Sequence, residues 1–256
     1  MLSTGDLVIE RFDTNHDSGI TCCPFRGGIV ISLILNGKEV LYFDPASIVQ
    51  GAPIRGGIPI LFPNAGVSET LPRHGFARDS SNWNFEKTEM GFVQTLVAND
   101  ETKKIYPYDF VLTLAARFES PDTGTFIQTV TNHELQKSLP VAMGLHPYFP
   151  VPDAEKRNVQ FYNSDGALIE THFELWNNGD TTVIDNPGIL DIKIPSLGML
   201  HMEISAEYKK IWIWSAPGSS YVCIEPMMRD IGGFDDNPRM VLPQEKISAH
   251  FSITLK

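Results

Sequence analysis

The sequence predicts an all-β protein, a large β-sandwich with very little helix. Short apolar or alternating runs recur along the 256 residues, separated by turn residues that include 18 prolines and 20 glycines. Strands with turn signals every 8 to 12 residues or so are typical of sandwiches and barrels. Apolar residues do not recur at helical spacing for more than about three turns. No change in composition marks a linker, so a single domain is expected over residues 1–256.

The first predicted strands surround one clear hairpin. Leu7–Phe12 is strand-like, and residues 13–19 form a polar loop. Ile29–Leu35 and Val40–Phe43 are rich in β-forming residues and flank Asn36-Gly37. Because Asn-Gly tolerates positive φ at both central positions of a type I′ turn, these two runs are predicted to pair.

The remaining strands follow the same pattern. They are expected at Gly91–Ala98, Phe110–Phe118, Thr125–Asn132, Leu139–Leu145, Met199–Ile204, Lys210–Trp214, Tyr221–Glu225 and Ile247–Leu255. Residues 99–104 are predicted to be a polar loop and residues 121–124 a tight turn. Residues 151–191 are rich in Asn, Asp and Gly and predict little beyond a turn at 177–180.

Charge and composition exclude several classes of function. The net charge is −11, from 31 acidic and 20 basic residues, which argues against sequence-independent nucleic-acid binding. A phosphate site would have to be a local arginine cluster. The start of the chain has no signal-peptide pattern, and no apolar run approaches the ~20 residues that span a bilayer, so a cytoplasmic protein is expected. No interface signature is visible in the sequence, so a monomer is expected. Without a P-loop, dinucleotide loop or HExxH, no cofactor or metal is expected.

The segment of residues 54–78, IRGGIPILFPNAGVSETLPRHGFAR, is the first candidate for a functional site. A core strand does not need its glycines, prolines, arginines and histidine, and a linker would not carry its apolar run. Gly75 would let a ligand approach the backbone beside His74, and Arg78 could make bidentate contacts with an oxyanion. The alternative is a turn histidine beside a solvated arginine, and the motif alone leaves the two equal.

His146 and Glu225 are the other candidates. His146 precedes Pro147, which favours an extended conformation, and Tyr148 supplies aromatic surface next to it. Glu225 ends an apolar run and is followed by Pro226, so it is either solvated or at the mouth of a site. The remaining histidines are expected at the surface or the core edge: His16, His133, His172, His201 and His250.

Four motifs make the sequence recognisable. IRGGIPILFP, LPRHGFAR, GLHPYF and VCIEP occur in the order and rough spacing of the galactose mutarotase-like (aldose 1-epimerase) superfamily. The chain resembles most closely the glucose-6-phosphate 1-epimerase, or hexose-6-phosphate mutarotase, branch. The resemblance covers nearly the whole chain but is poor over residues 151–191. It implies a β-supersandwich whose concave face binds a hexose, or a hexose 6-phosphate, and interconverts its α and β anomers.

The resemblance also implies roles in proton transfer. Glu225 would be the general base at the C1 hydroxyl, His146 the general acid at the ring oxygen, and His74 a hydrogen-bond partner near that oxygen. The chemistry is consistent, because opening a hemiacetal ring removes one proton and delivers another. A carboxylate and a histidine can exchange these roles when the ring closes on its other face.

Substrate-binding residues follow from the same resemblance. Arg55 and Arg78 would hold a 6-phosphate, and Tyr148 would form part of the floor under the sugar. Arg73 stands where the phosphate-specific branch commonly has glutamine, so it either adds positive charge at the site or is solvated. The family's substrate-binding aspartate has three candidates without a distinguishing motif: Asp153, Asp165 and Asp185.

Three alternatives remain open. The chain could be a mutarotase for unphosphorylated sugars, with the arginines serving structure. It could be a non-catalytic carbohydrate-binding protein on the same scaffold. A cupin-like metal site could use His74, His146 and Glu225, although the 72-residue gap between the histidines and the lack of an HxH pair argue against it.

Overall fold

The computed structural model describes residues 9–14, 17–47 and 54–256, and its architecture confirms the all-β prediction. The strands of the first half are β1 Glu10–Asp13, β2 Gly19–Cys23, β3 Ile29–Leu35, β4 Lys38–Glu39, β5 Ile60–Leu61, β6 Asn84–Lys87, β7 Gly91–Val97, β8 Phe110–Ser120, β9 Thr123–Asn132, β10 Leu139–Val141 and β11 Gly144–Leu145. The strands of the second half are β12 Tyr148–Pro150, β13 Gln160–Tyr162, β14 Leu168–Ile169, β15 Thr182–Asp185, β16 Ile189–Ile194, β17 Gly198–Ile204, β18 Lys210–Trp214, β19 Tyr221–Met227, β20 Arg239–Val241 and β21 Lys246–Leu255.

Helices are short throughout the described ranges. The α-helices are α1 Asp100–Ile105, α2 Phe173–Trp176 and α3 Gly233–Asp236, and 3-10 turns occupy Pro45–Ser47, Ala77–Asp79 and Asp153–Asn158. No helix in this part of the chain has the length and apolar character needed to cross a membrane.

The strands form a layered set of antiparallel sheets. A nine-stranded sheet has the order β14-β13-β16-β17-β21-β9-β8-β7-β6, and a four-stranded sheet has the order β1-β2-β3-β4. A six-stranded sheet has the order β15-β18-β19-β11-β5, with β12 also paired to β19, and β10 pairs with β20. The four-stranded sheet packs on the nine-stranded one through β3 against β9 and β1 against β7. The main hydrophobic core takes residues from all of the larger sheets, from Ile20 to Ile253.

The Asn36-Gly37 hairpin forms as predicted. Asn36 has φ 48° and Gly37 has φ 77°, and β3 pairs with β4 across the turn. The partner strand is shorter and earlier than expected, because it comprises Lys38–Glu39. Val40–Phe43 contributes one backbone bond to β3, from the N–H of Val40 to the carbonyl oxygen of Leu33, and an isolated bridge from Phe43 to Gly56. Glu39 explains the early end of pairing, since its carboxylate accepts the backbone N–H groups of Leu33 and Leu41 and replaces the ladder there.

Two other local predictions were wrong. The polar loop predicted at residues 99–104 contains α1, which Asn99 starts through a capping box with Thr102. Glu225 was predicted to end its strand, but β19 continues through Pro226 to Met227. Glu225 therefore lies inside a strand, paired in register with Trp212. His16 lies outside the described residues, as do Leu7 and Val8 of the first predicted strand.

Candidate active site

A cavity of about 520 Å³ opens against the six-stranded sheet. Seven of the residues that the sequence analysis assigned to a site line it: Arg55, Arg73, His74, Arg78, His146, Tyr148 and Glu225. The structure thus brings together three segments that are far apart in sequence. The roles assigned to these residues remain predictions.

One side of the cavity is a sheet face, which we call the sheet wall and define as His146, Tyr148, Trp212, Trp214, Cys223 and Glu225. All of these except the fully buried Cys223 line the cavity. In register, Tyr148 of β12 lies opposite Cys223 of β19, and Cys223 lies opposite Trp214 of β18. Side chains two residues apart on a strand share a face, so Glu225 points the same way as Cys223. Glu225 in turn lies opposite Trp212. The sheet wall is therefore specified by strand register.

The adjoining side is the segment of residues 54–78, which we call the loop wall. Its strand β5 is two residues long and pairs with β11. Two further backbone bonds join the walls, because the N–H groups of His146 and Tyr148 donate to the carbonyl oxygens of Pro59 (3.1 Å) and Gly57 (2.9 Å). His146 is thereby held between the two walls.

Gly75 brings the far end of the loop wall back against its start. The residue has φ 70° and forms a parallel bridge with Phe62, whose carbonyl oxygen accepts the N–H groups of Phe76 and Ala77. A Cβ on Gly75 would lie 1.9 Å from that oxygen. Only glycine allows this approach, and it places His74 at the cavity.

His74 presents a hydrogen-bond donor at the cavity. The backbone N–H of Gly66 donates to Nδ1 of His74 over 3.0 Å, so the neutral ring carries its proton on Nε2. Nε of Arg73 also approaches Nε2, but at 3.4 Å this contact is too long to override the shorter bond. Burial, reinforced by the charges of Arg78 and Arg73, lowers the pKa of His74 to about 3, so the ring is neutral at ordinary pH.

His146 and Glu225 form a buried pair. Nε2 of His146 lies 3.4 Å from Oε1 of Glu225, and the His146 ring stacks on Tyr148 with centroids 4.8 Å apart. The His74 ring lies edge-on to that of His146, with centroids 5.8 Å apart. Nδ1 of His146 and Oε2 of Glu225 are both buried without a hydrogen-bond partner. These two atoms are available to a ligand.

Burial disfavours charge on both members of the pair. It lowers the pKa of His146, with His74 and Arg78 acting in the same direction. Burial also raises the pKa of Glu225 well above its ordinary value, and Arg73 opposes that shift only in part. Two groups this close titrate as a unit. Both shifts favour a protonated Glu225 carboxyl beside a neutral imidazole in the ligand-free site.

The cavity is basic although the protein is acidic. Among the described residues, the cavity is lined by Arg26, Arg55, Arg73 and Arg78, against Asp79 and Glu225. Arg78 is largely buried, with 22% of its side chain exposed, and its Nε has no hydrogen-bond partner. The nearest carboxylate, of Asp79, is 3.6 Å away. An unpaired, buried guanidinium N–H is a ready donor to an anion.

Some lining residues escaped the sequence analysis. Trp212 and Trp214 alternate in the KIWIW run and could have been found by pairing that run with VCIE, whereas Arg26 stands in no motif. The three aspartates suggested for substrate binding do not line the cavity: Asp153 pairs with Lys156, Asp185 with Lys210, and Asp165 is exposed. Thr181 lines it from that region instead.

A different metal-binding set replaces the two histidines and glutamate considered from the sequence. In the part of the chain that the structure describes, His146, Cys223 and Glu225 are the three residues of metal-ligand type that converge, with ligand atoms within 4.8 Å of one another. His74 does not belong to this group. Cys223 is fully buried on the sheet wall.

The chain is thus an all-β protein whose arginine-lined cavity contains a buried histidine–glutamate pair. The aldose 1-epimerase family model matches residues 15–182, well over half of the chain. The chain therefore belongs to the aldose 1-epimerase family. Glu225 lies beyond the matched residues, so its place in the site rests on the structure.

Known relatives agree with this assignment. The chain is 31% identical over 147 residues to the Escherichia coli protein named "Putative glucose-6-phosphate 1-epimerase", a match that covers 50% of this chain and 47% of that one. It is 26% identical over 137 residues to a Cenchrus ciliaris protein of the same name, covering 49% of this chain and 41% of that one. The chain spans about half the length of the curated relatives it matches.

Solved structures confirm the fold over the full chain. The Slr1438 protein of Synechocystis is 21% identical with a TM-score of 0.83, covering 98% of this chain and 96% of that one. A galactose mutarotase-like protein of Lactobacillus casei is 18% identical with a TM-score of 0.78, covering 97% and 100%. The mutarotase-like supersandwich implied by the sequence motifs is thus confirmed.

Proposed function

We propose that this protein is an isomerase, an aldose 1-epimerase that interconverts the α and β anomers of a hexose 6-phosphate. The observation that supports this most directly is the buried pair of His146 and Glu225, 3.4 Å apart, at the wall of an arginine-lined cavity. Ring opening needs one base and one acid on the same substrate, and this pair supplies both. The family and the names of its relatives point to the same reaction.

The reaction runs through two proton transfers. The carboxylate of Glu225 takes the proton from the C1 hydroxyl while protonated His146 delivers one to the ring oxygen. The bond between C1 and that oxygen breaks, which leaves an aldehyde, a protonated Glu225 and a neutral His146. Rotation about C1–C2 turns the other face of the aldehyde toward the hydroxyl that was the ring oxygen. The reverse proton transfers then close the ring as the other anomer.

The buried pair fits this cycle because the proton count never changes. The state reached after ring opening, with Glu225 protonated and His146 neutral, is the state that burial favours in the ligand-free site. Moving that proton from the carboxyl to the imidazole produces the reactive state without exchange with solvent. His74, neutral with its proton on Nε2, donates a hydrogen bond to a substrate oxygen near the ring oxygen.

The arginines favour a phosphorylated substrate. A phosphate dianion matches a cavity with four arginines and two acidic residues, and it would pair the free Nε of Arg78. A free hexose would offer that N–H only a neutral hydroxyl acceptor, and hydrogen bonds to ionised acceptors are roughly twice as strong. The aromatic side chains of Tyr148, Trp212 and Trp214 also line the cavity and could support an unphosphorylated ring, so free sugars are the second candidate.

Magnetisation-transfer NMR of anomer exchange tests the proposal with glucose, galactose and glucose 6-phosphate. We expect the wild type to accelerate exchange of glucose 6-phosphate most, and Glu225→Gln to reduce the rate by about 10²- to 10⁴-fold, the usual contribution of a general base. Glu86→Gln, at an exposed position of β6, is the matched control and should behave as the wild type.

The other outcomes decide between the alternatives. Faster exchange of the free sugars would favour a mutarotase for unphosphorylated substrates. Binding of a sugar without accelerated exchange would identify a carbohydrate-binding protein. A Glu225→Gln variant as fast as the wild type would show that the general base is misassigned.

A further inference from the structure

Cys223 lies beside the buried pair but has no part in the proton transfers. It precedes Glu225 by two residues on β19 and shares its face of the sheet. We propose that His146, Cys223 and Glu225 form a binding site for a thiophilic divalent cation such as Zn²⁺, which inhibits the enzyme by occupying its acid–base pair. The inhibition rests on the proposed function, whereas the binding does not.

The spacing of the ligand atoms supports such a site. Two ligands of a tetrahedral zinc ion with bonds of about 2.1 Å lie roughly 3.4 Å apart. Nε2 of His146 and Oε1 of Glu225 are already 3.4 Å apart. All three ligand atoms lie within 4.8 Å of one another, so the Cys223 sulfur would need to move by about 1 Å to reach zinc distances.

The donor set selects the class of cation. Imidazole, thiolate and carboxylate together suit Zn²⁺, Co²⁺ and Cd²⁺, whereas Mg²⁺ and Ca²⁺ prefer oxygen ligands. Glu225 is only 2% exposed, and its Oε2 is buried without a partner beside the cavity. The cavity supplies space for a fourth ligand, so the arrangement has three protein ligands and one open position.

Charge does not prevent binding. The arginines of the cavity repel an entering cation. On binding, the Glu225 carboxyl and the Cys223 thiol each release a proton to solvent, and the resulting carboxylate and thiolate carry two negative charges that cancel the charge of a divalent ion. The finished complex therefore adds no net charge to the basic cavity. Repulsion slows entry of the ion, while the bound state is neutral.

Titration of the protein with Co²⁺ tests binding without any assay of activity. We expect one equivalent to bind and to produce the sulfur-to-cobalt charge-transfer band of a thiolate ligand. Cys223→Ser should lose the band. Cys23→Ser is the control and should keep it, because Cys22 and Cys23 are also free thiols but lie in β2. Absence of the band in the wild type, or its persistence in Cys223→Ser, would overturn the proposal.

Inhibition is measured separately with Zn²⁺ in the anomer-exchange assay. At about ten times the dissociation constant, simple mass action predicts a fall in rate of about tenfold, reversed by a chelator. Cys223→Ser should need at least about tenfold more Zn²⁺, since loss of even an outer-shell partner costs that much affinity. If the protein gives the cobalt band but accelerates no anomer exchange, only the proposed function is contradicted. If it accelerates anomer exchange but gives no band, only the metal-site inference is contradicted.

Discussion

The two walls of the cavity are built in opposite ways. The sheet wall takes its side chains from three antiparallel strands in regular register, β12, β19 and β18. The loop wall has one two-residue strand, isolated bridges and a run of residues with positive φ: Gly56, Gly57, Gly66, His74 and Gly75. Strand register determines the shape of the sheet wall, whereas positive-φ residues, most of them glycines, determine the shape of the loop wall.

The two walls also differ in their proposed roles, because the sheet wall carries the acid–base pair and the loop wall carries the arginines proposed to recognise the substrate. The proposed acid and base, His146 and Glu225, stand on or beside the strands of the sheet wall, where register fixes their separation. The loop wall provides Arg55, Arg73 and Arg78, which face the ligand from irregular backbone. Binding residues are commonly carried by loops that a rigid scaffold positions. On this view, changes in the loop wall alter which sugar is held, and changes in the sheet wall alter whether it reacts.

Gly75→Ala tests whether the loop wall depends on glycine, and it has the largest expected effect on stability. The new Cβ would meet the Phe62 carbonyl oxygen at 1.9 Å, and the residue already has φ 70°. We expect a loss of about 3 kcal/mol or more in the free energy of unfolding, measured by urea denaturation, because the backbone must shift.

Gly166→Ala is the matched control. Gly166 has φ 74° but nothing within 4 Å of an added Cβ, so only the conformational cost of roughly 1–2 kcal/mol applies. Equal losses for the two variants would show that the close approach at Gly75 contributes nothing beyond its φ angle.

Arg78→Ala tests the recognition role of the loop wall. A charged hydrogen bond contributes about 1.5–3 kcal/mol, so kcat/KM for glucose 6-phosphate should fall by roughly 10- to 150-fold. The value for free glucose should change much less, because that substrate has no phosphate. The paired measurement also corrects for structural disturbance, since Arg78 donates to the Arg73 carbonyl oxygen.

Arg117→Ala supplies the charge control. Arg117 pairs with Glu119 on β8, away from the cavity lining, and its removal should leave both sugars unaffected. If Arg78→Ala weakens catalysis equally on both sugars, Arg78 does not bind phosphate.

How much of this could be predicted from the sequence differs between the walls. The loop wall was conspicuous because its glycines, prolines and arginines fit neither a strand nor a linker. The sheet wall was not conspicuous as a unit. The alternation of a strand can be read from its sequence, but the strand with which it pairs cannot. Tyr148 meets Cys223 only through register between β12 and β19, about 75 residues apart in sequence, and Trp214 joins them because β18 precedes and pairs with β19. Nothing in a single sequence states that register.

Local signals were also overridden by context. Pro226 suggested a strand end, yet β19 runs through it to Met227. The six-residue helix α1 is too short to show helical periodicity, although Asn99 and Thr102 carry its capping box. Cys223 attracted no attention beside Glu225, because a buried cysteine in an apolar run is ordinary core until its neighbours across the sheet are known.

His74 of the loop wall is buried edge-on to His146, and its burial should make stability depend on pH. Its pKa is about 3 in the folded protein, against an ordinary value of 6.5. As pH falls below 6.5, the unfolded chain binds a proton that the folded chain does not, so the free energy of unfolding falls. The slope from this group is at most about 1.4 kcal/mol per pH unit. His146 acts in the same direction, whereas the raised pKa of Glu225 acts in the opposite one.

His74→Asn isolates this contribution, since an asparagine oxygen can still accept the Gly66 N–H. The free energy of unfolding of the wild type minus that of the variant is measured by urea denaturation from pH 8 down to about pH 4.5. This difference should be constant above pH 6.5 and should decrease at lower pH, by about 1–2 kcal/mol at pH 5. His250→Asn, at an exposed position of β21, is the control for losing a histidine elsewhere. A difference that stays level across the whole range would mean that His74 is not held neutral, and that the loop wall does not present a neutral donor to the substrate.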